Sequence, residues 1–352
     1  MYLNNLASYK RIDYIDTARG LSLLAVIVGH IIPIQAPSFQ FIGAFLYSFH
    51  LPLFFIISGF LFNPVYTPKE FIAKKIKGYI IPYVFCAAVI SVCLILFRIV
   101  DSGTKNLWSY ITWNVIYYFI VQMRFTALWF LTALFCAEIF LYFLFLACRQ
   151  RIALVWYVAV IFGMVFIIYN MKGMHYLPWN IDISFVVIPF LLFGYSLKQC
   201  DFFNRQEVRK PFVPCLLMLV GVVCVACNLF VTGGKCLDMF TGQYHCLPLV
   251  FIAAISLSIA SILLSEKIKS RGLRWLGANT MTFFAFHQAI AMNLASRIMS
   301  LFWIVNPSDV HPALQFASAV LMLLVVVIVC YVIHVIIVKT GFGFLIGKRN
   351  VR

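Results

Sequence analysis

Asp16, Arg19 and His30 stand in the run DTARGLSLLAVIVGH, which carries an acid, a guanidinium and an imidazole into an otherwise apolar stretch. A charge at mid-bilayer costs about 2.5–3.5 kcal/mol on insertion scales, so ionisable groups placed there are candidates for function. From Arg19 to His30 is eleven steps. At about 100° per residue these close three helical turns with about 20° left over, and the rise of about 1.5 Å per residue separates the two by roughly 16 Å. Asp16 returns to the same face within about 40°. One helix face therefore holds an acid–guanidinium pair near its start and an imidazole near the midplane. That pattern suits an anionic ligand at the surface and proton chemistry deeper in. The plainer alternative makes Asp16 and Arg19 interface markers and His30 a hydrogen-bonded core histidine. The i, i+3 spacing of Asp16 and Arg19 suits an acid that orients the guanidinium.

Further polar groups follow. FHLPLFFIISGFLF, from Phe49 to Phe62, places His50 near one end of a second apolar segment and Ser58-Gly59 deeper, where glycine allows close backbone approach. Interfacial hydrogen bonding for His50 and helix packing for Ser58 are the plainer readings. Lys74, Lys75 and Lys77 crowd the stretch before Pro82. Three ammoniums there could hold a polyphosphate, although topology and anionic headgroups account for them at least as simply. Late in the chain, Thr280 and His287 lie seven residues apart on one helix face, with Asn279-Thr280 as the expected N-cap region and a core histidine as the plainer reading of His287.

The elements that must position these groups are membrane helices. The chain is 64% hydrophobic and 11% charged, with a net charge of +16; soluble proteins average about 45–50% apolar and 25% charged. The expected fold is an all-α, polytopic membrane protein with about ten transmembrane helices and both termini cytoplasmic. The segments fall at 21–36, 41–62, 79–100, 125–148, 152–170, 181–197, 212–231, 247–265, 278–303 and 313–338. The 181–197 run contains Pro189 and is a candidate for a tilted or broken helix. Alternating the sides puts twenty Lys and Arg inside and four outside (Lys105, Arg124, Lys172 and Lys235), the bias that sets orientation in membranes. Segment 108–123, rich in Trp and Tyr, has no place in the alternation and reads as an outer-face amphipathic or re-entrant piece. The polar, charged first twenty residues lack a cleavage site, which makes the first segment a retained signal anchor by expectation. In this setting the basic excess speaks of topology, not nucleic acid. No repeat or linker divides residues 1–352, which read as a single integral-membrane domain.

These residues resemble the acyltransferase-3 membrane family. IDTARGLSLLAVIVGH is similar to its Arg-x10-His signature, and FHLPLFFIISGF to its second-helix motif in the sugar O-acetyltransferase branch. The similarity continues in KKIKGYIIP, LWFLTALF at 128–135 and NTMTFFAFH at 279–287, in order along the chain. The resemblance implies an enzyme that moves an acyl group, usually acetyl, from cytoplasmic acyl-CoA (acetyl-CoA) to a hydroxyl of a sugar, lipid-linked glycan or surface polysaccharide. His30 would be the catalytic base and Arg19 a ligand-binding or site-ordering residue; His50 and Ser58 would line the site, and His287 stands in a recurrent late-helix motif. Lys74 and Lys77 would meet the coenzyme A phosphates, where the family usually has arginine; lysine lacks the bidentate fork. No metal is implied. The expected partners are membrane lipids, acyl-CoA and a carbohydrate or glycolipid acceptor in a bacterial-type inner (plasma) membrane. The oligomeric state is open, a homodimer among the candidates.

Acyl transfer to an alcohol needs a base, a donor to the developing oxyanion and positioning of both substrates. His30 suits the base; Ser58 or a tyrosine could serve the oxyanion; direct transfer and an acyl-histidine both fit. The alternative class is a transporter or exporter that uses the Arg and His residues as a substrate or proton pathway. Most of the eleven cysteines lie in apolar segments and read as packing; Cys236 and Cys246 share one outer loop and could form a disulfide. Glu138, buried in an apolar run, needs a partner, with Arg98 or Arg124 as candidates. His175, His311 and His334 read as interface or core residues.

Overall fold

The computed structural model describes residues 12–174, 176–302 and 310–347. Among these residues the structure is 82% helical, without a strand, and nine helices are long and apolar enough to cross a membrane. They coincide with nine of the ten expected segments. The tenth, 278–303, is helical but divided: Thr280–Phe286, a π-helical stretch at His287–Met292, then Asn293–Phe302. Pro189 does not break its segment, since Ile181–Gln199 is one continuous helix. The 108–123 piece forms Leu107–Tyr110 and a π-helical run, Ile111–Val121, with Trp108 and Trp113 exposed. His175 lies outside the described residues.

The central elements are the helices Asp13–Gln35, Gln40–Phe60, Trp129–Ala147, Ile181–Gln199 and Leu247–Lys267. Most of their residues are buried by protein, whereas Ile152–Met171 and Phe212–Thr232 bury few and form the periphery. Because hydrocarbon is as apolar as a leucine core, close packing of small residues carries the association of such helices. Two crossings depend on it. A Cβ at Gly59 would lie 1.9 Å from the Leu191 carbonyl oxygen, and one at Gly194 2.0 Å from that of Ile56, so the second helix and Ile181–Gln199 touch backbone to backbone. Likewise a Cβ at Gly277 would lie 1.7 Å from the Asp16 carbonyl oxygen, seating the short helix Arg271–Ala278 on the first helix beside Arg19.

Gly194→Val is therefore expected to prevent correct assembly, read as loss of the folded peak in size-exclusion chromatography. Gly78→Ala, where a Cβ meets nothing within 4 Å, is expected to leave thermal stability unchanged or slightly raised.

Ion pairs settle the buried charges. Glu138 pairs with Lys75, and not with Arg98 or Arg124 as the sequence suggested. Arg98 instead donates to the Ser102 hydroxyl at 3.0 Å. Arg124 faces Asp182 at 3.5 Å, both almost fully buried. Arg297 makes a bidentate pair with Asp101, at 2.6 and 2.8 Å. Cys236 and Cys246 are both free thiols.

Candidate active site

The first helix presents His30 beside the second helix. The His30 Nδ1 lies 3.3 Å from the Tyr47 hydroxyl, and the Tyr47 ring stands edge-on to His50 at 5.0 Å. The Ser22 hydroxyl donates to the His50 carbonyl oxygen at 2.5 Å, fastening the two helices at this level. Two of the three imidazoles have defined tautomers, because a carbonyl can only accept. His50 Nδ1–H donates to the Leu46 carbonyl at 2.6 Å, and His287 Nδ1–H donates to that of Phe284 at 2.8 Å. The Nε2 atoms of His50 and His287 are left as acceptors. His287 is fully buried, its Nε2 has no hydrogen-bond partner, and its ring centre is 5.4 Å from that of His30. The π-helical turn that starts at His287 sets its register; such turns are frequent at functional sites.

His30, Tyr47 and His50 line a cavity of about 300 Å³, joined by Trp129, Asp238 and Gln288. His287 does not line it but sits behind His30. A second cavity, of about 220 Å³, is lined by Arg19, Ser58, Tyr79 and Thr280. Phe284 borders both. It packs against Phe54 and Phe130 with ring centres 6.4 and 5.1 Å apart, and Phe54 meets Phe130 at 5.8 Å. Phe284 is therefore shared by a histidine cavity and an arginine cavity, and Phe54 and Phe130, which pack on it, line the arginine cavity alone. A larger groove, of about 400 Å³ near Gly163 and Phe251, has an apolar lining and no group for chemistry.

The structure thus distributes the expected site residues over two compartments. Arg19 lies 3.7 Å from Asp16, and Ser58 shares its cavity with Arg19, not with His50. Lys74 and Lys77 are exposed. Lys74 donates to the Tyr66 hydroxyl at 3.1 Å, while Lys75 between them turns inward to Glu138. Asn279 makes no side-chain cap: its amide donates to the Trp275 carbonyl at 2.6 Å. His334 is a core residue, within 3.0 Å of the Thr282 hydroxyl, and His311 caps Pro312–Lys339 by accepting from the Ala313 amide. Among the described residues no cluster of His, Cys, Asp or Glu could hold a metal.

Sequence reasoning missed Tyr47, Asp238 and Gln288. Tyr47 carried a signal, one helical turn before His50 on the same face. Asp238 lies in a loop without periodicity and carried none. Tyr47→Phe removes the hydroxyl beside His30 while keeping the ring. Turnover at this site should fall about tenfold, the value of one hydrogen bond of roughly 1.4 kcal/mol, with the melting temperature preserved.

An acyltransferase domain family matches residues 12–335, nearly the whole described chain. No curated protein and no solved structure matches.

Proposed function

The chain belongs to the acyltransferase-3 family of membrane proteins, and on that premise we propose that it is an acyl-CoA-dependent O-acyltransferase with His30 as general base. The observation that carries this reading is the pair of cavities that share Phe284, one lined by His30 and one by Arg19. A donor and an acceptor can then reach one reacting centre from opposite sides. The excess of Lys and Arg on one side supports a cytoplasmic Arg19 face, where acetyl-CoA is the proposed donor. Arg19, oriented by Asp16, and the exposed Lys74 and Lys77 would bind the anionic nucleotide end. Ser58 and Thr280 would line the path of the acyl arm. Lys75, engaged by Glu138, is left out of this set.

In the proposed reaction a hydroxyl oxygen of the acceptor attacks the thioester carbonyl carbon. The C–O bond forms, the C–S bond breaks, and the hydroxyl proton passes to His30 and on to the departing coenzyme A thiolate. Neutral imidazole suits this task. In the tautomer whose Nδ1–H donates to the Tyr47 oxygen, 3.3 Å away, Nε2 would be the base. The buried His287 ring behind His30 holds its orientation. His50 lines the acceptor side. The proposed acceptor is a carbohydrate or glycolipid hydroxyl, and the whole chain, 1–352, acts as one domain in a bacterial-type inner membrane.

The test is a titration of the purified protein in detergent with acetyl-CoA, following free coenzyme A. Saturable binding with slow release of the thiol is expected. No binding at millimolar acetyl-CoA would overturn the reading.

A further inference from the structure

The acceptor cavity carries information about what enters it. The loop between Phe212–Thr232 and Leu247–Lys267 folds over the cavity as a small, packed cap. Asp238 and Gln243 exchange backbone hydrogen bonds at 2.9 and 2.8 Å, and Leu237, Met239 and Tyr244 are buried. Gly242 turns the hairpin with φ +73°, at a place where a Cβ would lie 2.9 Å from Asn170. Side chains anchor the cap at both ends. The Asn228 amide donates to the Lys235 carbonyl at 2.9 Å, and the buried Arg124 guanidinium donates to the Phe240 carbonyl and packs 4.6 Å from its ring.

This cap delivers two groups to the cavity wall, Asp238 and Phe240. The Phe240 ring lies 5.5 Å from that of Trp129, at 44°, so two aromatic surfaces meet at an angle beside the histidines. Asp238 Oδ1 accepts from the backbone amides of Phe240 and Thr241 at 2.9 and 3.4 Å, which holds the carboxylate in place. Thr126 and Gln288 add a hydroxyl and an amide. Among the described residues no lysine or arginine lines this cavity, and Asp238 is its one carboxylate. Burying an anion beside a carboxylate with no cation to receive it is costly, whereas a neutral hydroxyl can donate to that carboxylate in a charge-assisted hydrogen bond.

Building on the acyltransferase reading, we infer that the part of the acceptor entering the cavity is an uncharged, ring-shaped polyol, and that Asp238 selects it. Asp238 accepts a second hydroxyl of the acceptor while a neighbouring hydroxyl faces His30. Trp129 and Phe240 offer the apolar faces on which the C–H side of a sugar ring packs. A ring bearing a carboxylate or phosphate is turned away by the same carboxylate that holds its neutral counterpart. Asp238 is thus a specificity residue, and the cap is the element that presents it.

The experiment measures coenzyme A release from acetyl-CoA by the purified protein with matched methyl glycosides, each neutral hexoside beside its uronic acid counterpart. The readout is the ratio of kcat/KM within each pair, which partial loss of folded protein cannot move. The wild type should favour the neutral member at least tenfold. Asp238→Asn keeps an oxygen for the two backbone amides but loses the charge, and should bring the ratio to within about threefold of unity. A wild-type ratio near unity, an unchanged ratio in Asp238→Asn, or no acceleration by any neutral glycoside in a protein that releases coenzyme A would overturn the inference and leave the acyltransferase reading standing. A protein that neither binds nor turns over acetyl-CoA would overturn both.

Discussion

His30→Ala is expected to lower acyl transfer by about 10²–10⁴, the usual contribution of a positioned general base, while saturable binding of acetyl-CoA persists. The separation of the two effects follows from the architecture. Arg19 lines a separate cavity that His30 does not border, so truncating His30 opens space only in the histidine cavity. Paired measurements of isothermal binding and single-turnover coenzyme A release check this. Loss of donor binding in the variant would place His30 in the donor site and reassign its role. His334→Ala is the control for losing a buried imidazole that lines neither cavity: it removes the contact with Thr282, and its cost should appear in thermal stability. An intermediate loss is expected for His287→Gln, which keeps a hydrogen-bonding group behind His30 but loses the ring packed 5.4 Å away.

The second large effect concerns folding. Arg124→Leu should destabilise the protein by about 3–5 kcal/mol, because removing one partner of a buried ion pair leaves the other charge uncompensated. Arg124 is 3% and Asp182 1% exposed. The guanidinium also lies 3.7 Å from the Tyr176 ring and holds the cap through Phe240. The double variant Arg124→Leu with Asp182→Leu should recover most of this stability, since a buried pair replaced by apolar groups is often close to neutral. Acceptor use should stay impaired in the double variant, because the tie to the Phe240 carbonyl is gone. Thermal unfolding followed by tryptophan fluorescence in detergent measures the first effect, and kcat/KM for a neutral glycoside the second. Equal stability of the single and double variants would show that the charges do not compensate each other.

The two effects separate what was legible in the sequence from what was not. Apolar length places nine of ten spans, because each span is a local property of about twenty residues. The exception, 278–303, is interrupted by a π-turn at His287–Met292 that no hydropathy pattern reveals. The Arg19–His30 spacing identified one helix face, since periodicity is local too. What it could not give is that the two residues line different cavities, with Phe284, from a distant segment, bordering both. Glu138 was recognised as needing a partner, but the partner, Lys75, comes from the end of the short helix Pro68–Lys75. Charge and span length constrain neither choice. Asp238 was invisible for a different reason: its role depends on a loop folded back over the cavity by contacts with Arg124 and Asn228.

The most direct measurement of the central claim follows both halves of acetyl-CoA in sealed vesicles carrying the purified protein. With acetyl-labelled coenzyme A thioester presented to the Arg19 side and a neutral glycoside available to the His30 side, the label should become covalently attached to the glycoside. Free coenzyme A should appear in equal amount in the donor compartment, and His30→Ala should abolish both. Labelled thioester accumulating intact across the membrane, with no free thiol and no labelled glycoside, would contradict the account and make the protein a transporter.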